Sequence, residues 1–158
     1  MNAPRIAAIL ELARARSAMI ATAESCTGGM VAVALTELPG SSDVFERGFV
    51  TYSNDAKIEL LGVRADTLAA HGAVSEEVAA EMVAGALTRS RAALAVSITG
   101  IAGPGGSEHK PEGRVCFGLM WREAAPVTQT VEFGALGRAS VRAAARDHAL
   151  ALLLAALS

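Results

Sequence analysis

Three stretches of this 158-residue chain concentrate residue types that do chemistry. The first reads Thr22-Ala23-Glu24-Ser25-Cys26-Thr27-Gly28-Gly29. A serine at the mouth of a strand, followed by a helix whose free N–H groups point at it, has an anion-stabilising site beside its hydroxyl, as acyl transfer requires. Gly28 and Gly29 would let a substrate approach the backbone closely. The plainer alternative is that Ser25 or Thr27 merely caps the helix. Cys26 is a rival nucleophile, but neighbouring side chains on an extended segment point to opposite sides, so only one of the pair faces a pocket. A buried, inert thiol is the usual state of such a cysteine.

The second stretch runs from Glu46 to Lys57 and is unusually polar for a strand end. Lys57 falls in the first turn of an expected helix, where the dipole opposes a positive charge and pushes the amine pKa down. A lysine so depressed serves as a general base. Twelve of the fourteen basic residues are arginine, leaving Lys57 and Lys110 as the only lysines. Guanidinium cannot give up its proton, whereas ammonium can, so the choice of lysine at this point carries chemical meaning. The alternative for Lys57 is a solvated helix residue. Tyr52, the only tyrosine, either orients a serine–lysine pair or fills the core.

The third stretch is Thr99-Gly100-Ile101-Ala102-Gly103-Pro104-Gly105-Gly106-Ser107. Successive glycines after a strand let backbone N–H groups converge on an anion such as a phosphate. The spacing fits neither the Gly-x-Gly-x-x-Gly nor the terminal Gly-Lys-Ser/Thr fingerprint of nucleotide loops. Taken alone, a flexible loop before a hairpin is the simpler reading. Arg138, Arg142 and Arg146 step along one helix face, most simply as a solvated stripe, with the first two able to reach an anion. His71, His109 and His148 are scattered without partners at ligand spacing, and no metal site is expected.

The elements that must position these residues follow from pattern. Pro4 and the spacing of Ile6, Ile9, Leu10 and Ala13 predict a helix to about Arg16. Ala18 to Ala23 reads as a buried central strand, Met30 to Leu38 as a helix stopped by Pro39-Gly40, and Phe45 to Ser53 as a second strand. Ser53-Asn54-Asp55 offers a helix N-cap and Gly62 a stop. A short helix to His71-Gly72 and a longer one from a Ser75 cap through about Arg89 precede a strand from Leu94 to Thr99. Arg114 to Trp121 and Val127 to Phe133 form an expected hairpin, and Arg138 to Leu154 a final helix. This predicts an α/β fold: a mixed sheet with helices on both faces, in three α/β/α layers, with ligands at the carboxyl ends of strands.

Composition narrows the function classes. With 52% hydrophobic residues, no repeat and no linker, residues 1–158 read as a single domain with one core. A formal charge of −2 gives no footprint for nucleic acid. No apolar stretch reaches the roughly 18 residues of a membrane span, and the N-terminus lacks the pattern of a signal peptide, so a cytoplasmic protein is expected. Cys26 and Cys116 are too isolated to suggest a disulfide or zinc site.

With Thr22 to Gly29, Glu46 to Lys57, His71-Gly72-Ala73-Val74-Ser75, Ser97 to Ser107 and Lys110-Pro111 in this order, the chain resembles the C-terminal domain of the CinA competence/damage-inducible proteins. The likeness spans about residues 5 to 150. It implies the stand-alone form of that domain, a nicotinamide-nucleotide amidase that hydrolyses the carboxamide of nicotinamide mononucleotide to nicotinic acid mononucleotide and ammonia. It further implies Ser25 as nucleophile, Lys57 as base and Tyr52 assisting, with no cofactor, a small-molecule nucleotide as partner and a homodimer. The pyrophosphatase-like domain of longer CinA proteins has no room in 158 residues, so its activity is not expected. The expected substrate-binding residues are Glu24, Thr27, Gly28 and Gly29 on the first turn, Thr99, Gly100, Ala102 and Gly103 on the glycine loop, and Arg138 and Arg142. Where family members often carry an Asp-Arg pair before the last helix, this chain reads Leu136-Gly137-Arg138, which puts an acidic ribose or phosphate contact there in doubt. The competing reading is a catalytically silent nucleotide-binding module of the same family.

Overall fold

The structure, a computed structural model, describes residues 2–158. Its centre is a five-stranded sheet in the order β2-β1-β3-β4-β5. The strands are β1 (Ile20–Glu24), β2 (Phe45–Val50), β3 (Leu94–Gly100), β4 (Arg114–Trp121) and β5 (Val127–Glu132). β1 pairs in parallel with both β2 and β3, while β3–β4 and β4–β5 are antiparallel. The chain therefore steps from β1 outward to β2 and returns across β1 to β3. The carboxyl ends of β1 and β3, where this direction reverses, open the crevice in which such sheets bind ligands.

Helices cover both faces, giving three layers. α1 (Ala3–Ala15), α2 (Met30–Leu35) and α6 (Arg138–Leu157) pack on one side, burying Ile6, Ile9, Val31, Leu35, Val141 and Leu150 against Ile20, Val96, Ile98 and Phe117. On the other side α3 (Asn54–Leu61) and α5 (Glu76–Thr88) bury Leu61, Val78, Met82 and Val83 against Ala21, Ala23 and Ala95, and α4 (Ala65–His71) adds Leu68 at the rim. The alternation of Ile20 with Ala21 and Ala23 between the two cores is the period-two pattern of a strand buried on both faces.

The mixed α/β sheet agrees with the sequence pattern, and the boundary differences have local causes. α2 stops at Leu35, three residues before the expected Leu38, because the Thr36 hydroxyl donates to the carbonyls of Ala32 and Val33 and closes the last turn. β2 ends at Val50 rather than Ser53: the Thr51 amide makes the last bond to β1, at Glu24 O, and the chain then leaves the sheet. β1 starts at Ile20 because residues 16–18 form a turn with Ser17 at positive φ. α6 runs on to Leu157, since Leu153 and Leu157 still face the core.

Gly85 sets how closely α3 lies on α5. A Cβ at this position would overlap the carbonyl oxygen of Leu61. Alanine normally gains about 1 kcal/mol over glycine inside a helix, so on propensity alone Gly85→Ala would stabilise. The overlap is with backbone and has no side-chain escape. Gly85→Ala is expected to lower stability by roughly 1–3 kcal/mol, the range for an overpacked core. Urea unfolding with an unchanged or raised midpoint would show that α3 can move away freely.

Candidate active site

Ser25 leaves the carboxyl end of β1, held in the sheet by its amide's bond to Ile98 O on β3. Opposite it, Ser53 caps α3 by accepting from the Ala56 amide, and this start places Lys57 one turn into the helix with its side chain directed back beneath the end of β2. The Lys57 side chain is 1% exposed, yet its amine is fully provided with acceptors. Nζ lies 2.8 Å from Ser25 Oγ, 2.9 Å from Thr51 O and 3.3 Å from Tyr52 O. Burial drives the amine pKa from 10.5 down to about 8, against the opposing pull of Cys26 and Glu108. Removal from water, rather than the helix dipole expected from the sequence, is the dominant cause.

A neutral amine has two hydrogens and one lone pair. The two carbonyls take the hydrogens, which leaves the lone pair for Ser25 Oγ. The arrangement therefore holds a proton acceptor against a hydroxyl, the geometry a general base needs. Cys26, by contrast, is buried and its thiol is pushed up to about 12, chiefly by burial, which keeps it protonated and inert.

Ser25, Lys57 and Tyr52 open into a cavity of about 340 Å³ whose other walls include Ala73 and Val74, Thr99, and the loop from Gly100 to Glu108. Gly100, Ala102 and Gly103 line it as expected, and Arg138 stands at its mouth. Thr99 lines it too, with its hydroxyl donated to Ala73 O. Tyr52 does not fill the core. Its ring is 59% exposed and its hydroxyl accepts from Arg138 Nη2 at 2.6 Å, so it meets the pair only through its main-chain carbonyl.

Several expected substrate contacts do other work. Glu24 is fully buried, and its carboxylate accepts from Thr27 Oγ1, Val31 N and Ala32 N. It closes the N-terminus of α2, so the helix amides expected to face Ser25 are occupied. Thr27 is buried and spent on Glu24. Gly28 and Gly29 line a separate groove with Met30 and Val33, and neither glycine lines the cavity. Arg142 is not a solvated residue either: it donates to Cys26 O and Thr27 O. Arg138 donates to Gly103 O.

Sequence reasoning missed Glu112, whose carboxylate accepts from Gly105 N and Gly137 N and so ties the glycine loop to the start of α6. It also missed the Ala73-Val74 wall. Lys110 Nζ holds that wall by donating to His71 O and Val74 O, and its rarity as a lysine was a usable signal. Nothing in the local pattern marks Glu112. Among the described residues no group of three His, Cys, Asp or Glu side chains comes together to hold a metal, and no helix is long and apolar enough to cross a membrane.

The model of the CinA C-terminal domain family matches residues 3–157. The chain belongs to that family. A relative from Escherichia coli K12 named nicotinamide-nucleotide amidohydrolase PncC is 54% identical over 141 residues, covering 89% of this chain and 85% of that protein. A CinA-like protein from Chloroherpeton thalassium is 63% identical over 110 residues, covering 69% of this chain and 26% of that protein. The chain thus spans about a quarter of the longer CinA-like protein and most of the PncC relative. A crystal structure described as the competence damage-inducible protein A of Klebsiella pneumoniae superimposes with a TM-score of 0.93 at 39% identity, covering 98% of this chain and 95% of that one. A crystal structure described as competence/damage inducible protein CihA from Agrobacterium tumefaciens gives a TM-score of 0.86 at 49% identity, covering 94% of each chain.

The buried amine makes stability depend on pH in a known direction. Between about 8 and 10.5 the unfolded chain keeps the Lys57 proton while the folded chain has lost it, so the folded state gains on the unfolded as pH rises through this window. Lys57→Met removes the effect. The stability of the native chain relative to the variant is expected to rise on the order of 3 kcal/mol across the window, at about 1.4 kcal/mol per pH unit. Urea unfolding of both proteins from pH 7.5 to 10.5 measures the difference, and a flat difference would mean the amine is not desolvated.

Proposed function

We propose that this chain is an amidohydrolase that cleaves the carboxamide of nicotinamide mononucleotide to nicotinic acid mononucleotide and ammonia, with Ser25 as nucleophile and Lys57 as base. The observation that carries the reading is the 2.8 Å contact between Lys57 Nζ and Ser25 Oγ, made by a buried amine whose pKa is brought to about 8. The names of the PncC relatives support the substrate class.

Ser25 Oγ attacks the amide carbon while its proton passes to the Nζ lone pair. The carbonyl oxygen gains charge in this step and needs an N–H donor. The Cys26 amide follows the nucleophile directly, belongs to a residue that lines the same cavity and donates to no other residue's oxygen among the described residues, which makes it the donor proposed for the role. Lys57 then delivers the proton to the departing nitrogen, which leaves as ammonia. Water attacks the resulting ester while its proton passes to Lys57, which returns that proton to Ser25 Oγ as the acid is released, restoring both the hydroxyl and the neutral amine. The carbonyls of Thr51 and Tyr52 hold the amine in place through both half-reactions, and this is how Tyr52 assists.

The exposed guanidinium of Arg138, at the mouth beside the Tyr52 ring, supplies a counter-charge for the phosphate. The Gly105 amide is committed to Glu112, so of the loop residues expected to bind substrate Ala102 and Gly103 are the ones proposed for phosphate contacts. The chain acts as one domain in the cytoplasm. A homodimer is part of the proposal; Val33 and Val50, both well exposed, are apolar surface of the kind a second copy would cover.

Ammonia release from nicotinamide mononucleotide, the riboside and free nicotinamide tests the reading. Turnover of the nucleotide supports it, and binding without turnover would favour the silent nucleotide-binding module. Ser25→Ala is expected to abolish release while Cys26→Ala keeps most of it, because the thiol is protonated and only the serine meets the amine. Equal loss in two folded variants would remove the serine from its role. Lys57→Arg is expected to be as inactive as Lys57→Ala, since guanidinium accepts no proton at working pH. In the native enzyme kcat/KM should climb about tenfold per pH unit up to about 8 and then level off.

A further inference from the structure

Arg138 and Arg142 lie one turn apart on α6 and reach opposite walls of the site. Arg138 holds the glycine loop through Gly103 O and stands at the cavity mouth. Arg142 is half-buried and does not line the cavity. Its Nε donates to Cys26 O at 3.1 Å and its Nη2 to Thr27 O at 3.5 Å.

We infer that Arg142 is a positioning residue for the nucleophile turn, acting through the Cys26 and Thr27 carbonyls and not on the substrate. The inference rests on the amidohydrolase reading above. Two independent features of the turn support it. Gly28 sits at φ +57°, and a Cβ there would lie 3.2 Å from Arg142 Nη2, so the glycine leaves room for the guanidinium. Glu24 already occupies the Val31 and Ala32 amides and Thr27 O accepts from Met30 N, while Cys26 O has no donor besides Arg142 among the described residues.

The consequence is geometric. In a trans peptide the C=O and N–H point in opposite directions. Drawing the Cys26 carbonyl toward α6 turns the Thr27 N–H away from it and fixes the peptide plane one bond beyond Ser25. Ser25 itself is set by its amide's bond to Ile98 O, its carbonyl's from Gly28 N and its hydroxyl's contacts with Lys57 Nζ and Tyr52 O, none of which holds the Cys26–Thr27 peptide. A planar guanidinium with several donors spans two successive carbonyls, whereas an ammonium engages them as a point.

The test is Arg142→Gln, with Arg142→Lys as the conservative partner. In a folded Arg142→Gln protein kcat is expected to fall on the order of 100-fold, the scale of a small misplacement of reacting atoms. The Kd for nicotinic acid mononucleotide, read by titration calorimetry, should stay within about twofold, and the pH inflection should stay where it is. Arg142→Lys should recover part of kcat and leave Kd unchanged. A kcat within about threefold of native in Arg142→Gln would overturn the inference, as would a tenfold rise in Kd, which would make Arg142 a phosphate contact. If Arg142→Gln does not fold, the Arg142→Lys result decides: native kcat overturns the proposal, reduced kcat with native Kd upholds it. Failure of the native chain to release ammonia would instead reject the amidohydrolase reading, leaving the two outcomes distinct.

Discussion

An amine buried to 1% exposure must be surrounded by acceptors, and the rest of this site is arranged to meet that demand. Thr51 and Tyr52 present their carbonyls because β2 stops at Val50 and the chain turns off the sheet. Lys57 reaches them because Ser53 starts α3 only a few residues later. Ser25 completes the set because β1 lies beside β2 in parallel, so both carboxyl ends come to the same edge. A shift of one element by a single residue would leave either a buried charge or an orphaned carbonyl. The contact that suits the amine for taking a proton is thus also one the fold cannot easily relinquish.

Glu24 imposes the second constraint. It sits at the end of the same strand, fully buried, and its two oxygens satisfy three donors at the start of α2. A carboxylate at a helix N-terminus is favourable both for the dipole and for the unpaired amides. Its presence means the helix's positive end is neutralised from within, and in the proposed reaction any oxyanion contact falls to amides of the turn itself. Arginines on α6 then take over the bracing that the helix cannot give.

The fold was legible because its signals are local and repeated: period-two burial in β1, helical spacing in α1 and α5, and caps at Ser53 and Ser75. Ser25 and Lys57 were legible for a different reason, a reactive type at a strand end and a rare lysine in an arginine-rich chain. The roles of Glu24, Gly28 and Arg142 were not. Each looks like a ligand-binding residue in sequence, and each is committed to another part of the protein by contacts that span 3 to 116 positions. Glu112 carries no pattern at all, since its partners are the backbone of a loop and a helix start brought together only by the tertiary fold.

The two lysines show the same physics used for different ends. Lys110, like Lys57, gathers main-chain carbonyls, here His71 O and Val74 O, and so fastens the turn that forms one wall of the cavity. An ammonium suits both places because three hydrogens on one atom can converge on acceptors too close together for a planar guanidinium. The difference lies in the third direction. At Lys110 both contacts are to main-chain carbonyls, whereas at Lys57 burial lowers the pKa and the third direction points at a hydroxyl. Lysine thus stands in this chain where compact donor geometry is needed, and its amine is suited to accept a proton where the fold also removes the water.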